Sequence, residues 1–102
     1  MNISVKKANN TVYFVLGGNI DERGAEELKK RFGELNLKTE KELVLDFKDV
    51  NHIGSAGIGK LLLFYKDMAF NGGTFKLEKV PPHIFELLKV VKLETIFSIS
   101  KA

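Results

Sequence analysis

The residues best suited to chemistry crowd into Asn51 to Leu62, "NHIGSAGIGKLL". Gly54, four intervening residues, Gly59 and Lys60 meet most of the G-x-x-x-x-G-K-[ST] phosphate-loop pattern, but Leu61 stands where that loop carries a magnesium-binding hydroxyl. A phosphate loop also needs its glycines in a segment wide enough to wrap the phosphates, with the helix starting around the lysine. Here apolar helical periodicity already begins at Ile58. Gly57 and Gly59 then fall in the first helical turns, where small residues permit close backbone packing, and Lys60 points out of a helix. The same stretch offers Ser55 as a nucleophile with His52 and Asp49 near it in sequence. The G-x-S-x-G elbow is missing, because Ile53 lies two residues before Ser55, and no oxyanion-hole loop is announced. His52 reads as a half-exposed loop residue.

A third chemistry fits better. Ser55 is placed to be the N-cap of the helix that follows, its hydroxyl satisfying a free N–H of the next turn. A phosphoryl group on that oxygen would sit at the positive end of the helix dipole beside unpaired N–H groups. It would add roughly 1.5 to 2 negative charges to a surface near Asp46 and Asp49, and so change which partner docks without unfolding anything.

The elements that must position this stretch are read from periodicity. "TVYFVL", Thr11–Leu16, is β-branched and aromatic, which predicts a buried strand ended by Gly17-Gly18. The shorter "ISVKKANN" predicts a hairpin partner folded back at Asn9-Asn10. Ala25, Leu28, Phe32 and Leu35 recur at helical spacing behind Asp21, a carboxylate suited to cap the helix, with Glu22 at its positive end. "LVLDF" predicts a central strand with Asp46 near its carboxyl end, followed by a loop from Lys48 to Ser55. The next helix should face inward through Ile58, Leu61, Leu62, Tyr65 and Met68 and stop at "NGG". "TFKLEKV" alternates as a strand with one covered face, Pro82 suits the first position of a third helix carrying Ile84, Leu87, Leu88 and Val91, and "ETIFSIS" adds a short edge strand. Strands alternating with helices imply right-handed crossovers and one mixed sheet with helices packed on it. Function in such sheets gathers where strand carboxyl ends meet helix amino ends, which is where Ser55 falls.

Composition narrows the field. A chain of 102 residues with 44% hydrophobic content is enough for one globular domain, residues 1–102. The net charge of +3 comes from lysines spread along the chain, with only Arg23 and Arg31 as guanidinium groups, so no basic stripe predicts direct nucleic-acid binding. The absence of cysteine removes disulfides, thiolate nucleophiles and most structural zinc sites, leaving carboxylates and two distant histidines as the only metal ligands; no metal or cofactor is expected. "MNISVKK" lacks a signal-peptide pattern, and nothing approaches the roughly 18 to 20 apolar residues that span a bilayer. A cytoplasmic protein without membrane attachment is expected.

Taken together, "GGNID", "LVLDFKDVNHIGSAGIGKLL", "NGGTFKLEKV" and "IFELLKVVKLETIFSI" resemble the STAS domain, in particular the single-domain anti-sigma factor antagonists of bacteria. The resemblance covers essentially the whole chain. It implies an α/β fold with a mixed four- to five-stranded sheet, and a protein that is not an enzyme but a substrate of one. In that family an anti-sigma factor acting as a serine kinase phosphorylates the serine of a D-S-S-G or D-S-A-G loop, and Ser55 occupies that position. The unphosphorylated form binds the anti-sigma factor and frees the sigma factor; a metal-dependent, PP2C-type phosphatase resets the phosphorylated form. Partner contacts would run through Asp21, Asp46, Gly54, Ser55, Ala56 and Gly57. Gly54 departs from the pattern, standing where the family usually has Asp. STAS-like domains also serve as unswitched scaffolds in stress-signalling complexes or as accessory subunits of lipid-transport ATPases, the alternative the resemblance allows.

Overall fold

A computed structural model describes all residues, Met1–Ala102. β1 (Asn2–Ala8) and β2 (Thr11–Ile20) form an antiparallel hairpin, with Asn9 in the left-handed region at φ 57°, a conformation asparagine tolerates. β3 (Glu42–Ile53), β4 (Thr74–Val80) and β5 (Ser98–Lys101) follow in parallel, so the sheet order is β1-β2-β3-β4-β5. Each parallel step is made through a helix: α1 (Glu22–Gly33), α2 (Ser55–Phe70) and α3 (Pro82–Val90), the last followed by a 3₁₀ turn at Leu93–Thr95. The mixed five-stranded sheet, the Asn9-Asn10 turn, Pro82 at the start of α3 and the edge strand β5 agree with the sequence reading.

Strand alternation decides where the core sits. Phe14, Leu16, Leu45 and Leu77 turn one way and are fully buried with Leu28, Leu61 and Phe64 from the helices. Phe32 and Phe64 stack with centroids 4.4 Å apart, and Phe75 meets Phe64 and Phe97 edge-on at 6.4 and 4.9 Å, tying α1, α2, β4 and the segment before β5 together. No buried residue is polar or charged. Phe64 was not among the inward residues expected for α2. Tyr65, Ile58 and Leu62, which were, are only partly buried, because α2 turns its Leu61-Phe64-Met68 stripe to the core.

The other face of the sheet is polar around a small apolar centre, the fully buried Val44 between Tyr13 and Lys76. Thr11 Oγ1 donates to Glu42 Oε1 at 3.1 Å, and Lys76 lies 3.6 Å from Glu42 and 3.7 Å from Glu78.

Two strands run past the points where the sequence patterns stop. β2 continues through Gly17-Gly18 to Ile20, and β3 continues through the supposed Lys48–Ser55 loop to Ile53. The extensions pair with each other, Gly17 with Asp49 and Ile20 with Ile53. Register shifts fall between Val15 and Gly17 and between Gly18 and Asn19, each leaving one extra residue on β3. Buried positions on β3 therefore come at Phe47, Val50 and Ile53, three apart, and the two-residue period that announces a strand is lost. Gly18, at φ 96°, supplies the backbone conformation that this distorted pairing uses on β2.

Candidate functional site: the start of α2

β3 ends at Ile53, and Gly54 N–H donates to Ile20 O at 3.0 Å, stitching the chain to the end of β2. Gly54 is extended (φ −100°, ψ −177°) and is itself the N-cap of α2; lacking a side chain, it makes no cap hydrogen bond. Ser55 is the first helical residue, one position later than expected, and its side chain is exposed. The first helical bond runs from Ile58 N–H to Gly54 O at 3.1 Å. The N–H groups of Ser55, Ala56 and Gly57 thus precede the ladder and have no partner within the helix. An exposed hydroxyl beside these donors, at the positive end of a 16-residue helix, is suited to carry or hold an anion.

Gly57 fixes how α2 meets the sheet. A Cβ there would stand 2.7 Å from side-chain carbons of both Ile20 and Ile53 and 3.1 Å from Ile20 O, so only glycine allows this approach. Gly59 is different: nothing lies within 4 Å of its Cβ position. Of the two glycines read as packing residues, Gly57 packs and Gly59 faces open space.

Asp21 follows Ile20 at the end of β2 and caps α1, Oδ1 accepting from Gly24 N–H at 2.8 Å. That bond holds the Asp21 carboxyl below the ordinary carboxylate value. Since Ile20 and Ile53 are register partners, Asp21, Gly54, Ser55, Ala56 and Gly57 share one end of the sheet. Asp46 does not join them. It lies mid-strand on the polar face, opposite Val15 and Glu78, with Oδ1 accepting from Lys48 N–H at 2.9 Å and Oδ2 3.5 Å from Lys79 Nζ. The strand expected to end about Asp46 runs on to Ile53, paired with the extension of β2.

Both histidines belong to the same end as Ser55, although they lie far apart in sequence. His83, in the first turn of α3, donates from Nε2 to Asn51 O at 2.8 Å, a contact across 32 residues that no local spacing announces. His52, exposed near the end of β3, places Nε2 3.9 Å from where a Cβ on Gly54 would stand. Lys60 reaches Glu26 on α1 at 4.0 Å, so it braces two helices and lines no phosphate cradle.

This geometry defines a class: a small α/β module with its helices packed on one face of the sheet and an exposed hydroxyl at a helix start. The chain belongs to the STAS domain family, whose family model matches residues 2–102. It is 28% identical over 100 residues to the anti-sigma-B factor antagonist of Bacillus subtilis, covering 98% of this chain and 91% of that protein. Among solved structures, its fold is similar to a crystal structure from Thermotoga maritima (TM-score 0.89, 23% identity, 98% of this chain and 86% of that one). It is also similar to the anti-sigma factor antagonist SpoIIAA in its unphosphorylated form (TM-score 0.84, 14% identity, 99% and 89%). The phosphorylated form of the Bacillus SpoIIAA matches with a TM-score of 0.78 (14% identity, 99% and 92%). No helix is long and apolar enough to cross a membrane.

Proposed function

We propose that this protein is an anti-sigma factor antagonist switched by phosphorylation of Ser55. Its unphosphorylated form binds an anti-sigma factor that is also a serine kinase and so frees a sigma factor. The kinase transfers the γ-phosphoryl of ATP to Ser55 Oγ, with loss of the hydroxyl proton and release of ADP. The phosphorylated form is released, and a PP2C-type phosphatase restores the hydroxyl. On this reading the chain is a binding module and a kinase substrate with no catalytic group of its own, working in the cytoplasm. The contact surface comprises Asp21, Gly54, Ser55, Ala56 and Gly57; Asp46, mid-strand on β3, lies outside it.

The observation that carries the proposal is Ser55 itself, exposed at the first position of α2 beside three N–H groups without helical partners. A phosphate there is accommodated by the helix end without unfolding, yet changes the charge that a docking partner meets. A tenfold change in affinity requires only about 1.4 kcal/mol, well within the effect of one interfacial phosphate. Titration calorimetry with the cognate anti-sigma factor tests it: Ser55→Asp should weaken binding at least tenfold and Ser55→Ala should keep it. Equal affinity for both variants and the natural protein would contradict the switch.

Gly54 favours one alternative, an unswitched scaffold or accessory subunit, because the glycine removes a carboxylate the kinase partner could contact. Intact-mass measurement of protein recovered from its own host separates the two, since a phosphate on Ser55 excludes the scaffold.

A further inference from the structure

We infer that His52 reads the phosphoryl state of Ser55: its imidazole, standing over the side-chain-free Gly54, pairs with a phosphate on the neighbouring hydroxyl. This rests on Ser55 being the modified residue and adds the group that recognises the modification.

Three observations lead to His52. Its Nε2 is 3.9 Å from the Cβ position of Gly54, the residue directly before Ser55, and Gly54 puts no side chain between them. His52 is exposed and can turn toward an arriving anion. Of the other groups at this end, His83 is engaged with Asn51 O and Asp21 with Gly24 N–H, and the Met1 ammonium lies on the Asp21 side, against the start of α1. Asp49 on β3 and Glu22 at the start of α1 carry the wrong sign for a phosphate. Arg23, next to Glu22, is the remaining cation of the first turn of α1, and its removal serves as a control below.

The physical consequence is specific. A phosphoserine dianion has strong acceptor oxygens, and an imidazole beside it takes up a proton from solvent to become a two-donor cation. The resulting N–H···O contact is charge-assisted. It lays the phosphate back onto the helix start and β3 instead of leaving it projecting into solvent. In this chain the residue before the serine thus presents no carboxylate to repel the phosphate, and a base two residues further back attracts it.

The test uses the full chain with phosphoserine installed at position 55 by genetic-code expansion, so that it does not depend on any kinase. Long-range ¹H–¹⁵N spectra at a fixed pH of about 7 report both imidazole rings, where a free histidine is mostly neutral. The ring nitrogens of His52 should move to imidazolium values on phosphorylation while those of His83 stay in place. The shift should persist in the Arg23→Gln background. An unchanged His52 ring, or equal shifts in both rings, would overturn the inference. In the unmodified protein, Gly54→Asp should also drive His52 to imidazolium by placing a carboxylate beside Nε2. If that variant moves His52 and phosphoserine does not, the imidazole sits over residue 54 without recognising the phosphate, and the inference fails while the switch at Ser55 stands.

Discussion

Two helices begin side by side at one end of this sheet, and they begin differently. Ile20 and Ile53 are register partners, and the next residue on each strand opens a helix: Asp21 caps α1 and Gly54 caps α2. The third helical residue is a glycine in both, Gly24 and Gly57, and a Cβ at either would come within 2.7 Å of a neighbouring atom, Asn19 O in one case and the isoleucine carbons in the other. The two starts are thus seated on the strand ends in the same way. They differ in the cap. Asp21 turns its own carboxylate onto the free N–H of Gly24, so α1 is closed by an internal anion. Gly54 has nothing to offer, and α2 stays open with a hydroxyl at its first position. A helix start carries roughly half a positive charge, and where the chain does not neutralise it an anion from outside can. If Ser55 is the switch proposed above, the difference between a structural helix start and a regulatory one is a single missing side chain.

The shared seating gives the largest predicted effect. Gly57→Val should destabilise the fold by about 3 kcal/mol, because the branched side chain overpacks against Ile20 and Ile53 at the point where backbone and side chains already touch. Urea unfolding monitored by circular dichroism measures it, and a loss smaller than 1 kcal/mol would mean that α2 can lift from the strand ends freely. Gly59→Ala, two residues on, should do the opposite. Its Cβ position is empty to 4 Å and exposed, so alanine should add about 0.5 to 1 kcal/mol through helix propensity alone. Destabilisation by Gly59→Ala would show that the contrast between the two glycines is not one of packing.

The closed start should also be visible in acid. Asp21 is held below its ordinary value chiefly by the Gly24 N–H bond, so the stability it confers is fully present above the unfolded carboxyl value of about 4 and is lost as pH falls through the lower folded value. Glu40, bonded by Asn36 N–H and Lys7, is lowered too and adds a loss of the same sign. Asp21→Asn keeps a capping oxygen but cannot titrate, so the difference in unfolding free energy between variant and natural protein should change between pH 5 and pH 2 and be flat above pH 5. A constant difference over the whole range would show that the α1 start is not closed by a charged carboxylate.

The same end of the molecule separates what sequence patterns reveal from what they hide. Where a strand is regular, as at Val12-Phe14-Leu16 or Phe75-Leu77, alternation shows both the strand and its buried face. β3 breaks the rule at its carboxyl end: two extra residues stretch the buried spacing to Phe47, Val50 and Ile53, so a strand there looks like a loop. That mistake moved the expected strand end back to Asp46 and grouped Asp46 with Ser55. Ser55 itself was legible as the chemically exposed residue, but its place was off by one, because an extended glycine serves as N-cap without the side-chain oxygen by which caps are recognised. The His83 bond to Asn51 depends on tertiary placement across 32 residues, and no spacing along the chain encodes it.

The smallest effect tests the comparison most directly, because Gly54→Asp would give α2 the same cap as α1. The site has room: the nearest atoms to a Cβ at position 54 are His52 Nε2 and Ile20 O, both at 3.9 Å, and a φ of −100° is one that any residue adopts. Aspartate in place of glycine at an N-cap gains only a few tenths of a kcal/mol. Its functional consequence should be larger than its energetic one. If the kinase partner contacts a carboxylate before the serine, Gly54→Asp raises the phosphorylation rate of Ser55. If the open helix start and His52 are what the partner and the phosphate use, the new carboxylate occupies both, and the rate falls. A kinase assay on the two proteins, with unfolding curves run alongside to confirm the small stabilisation, decides between these outcomes. A rate unchanged within error would mean that the cap does not distinguish the regulatory start from the structural one, and the contrast between Asp21 and Gly54 would lose its functional meaning.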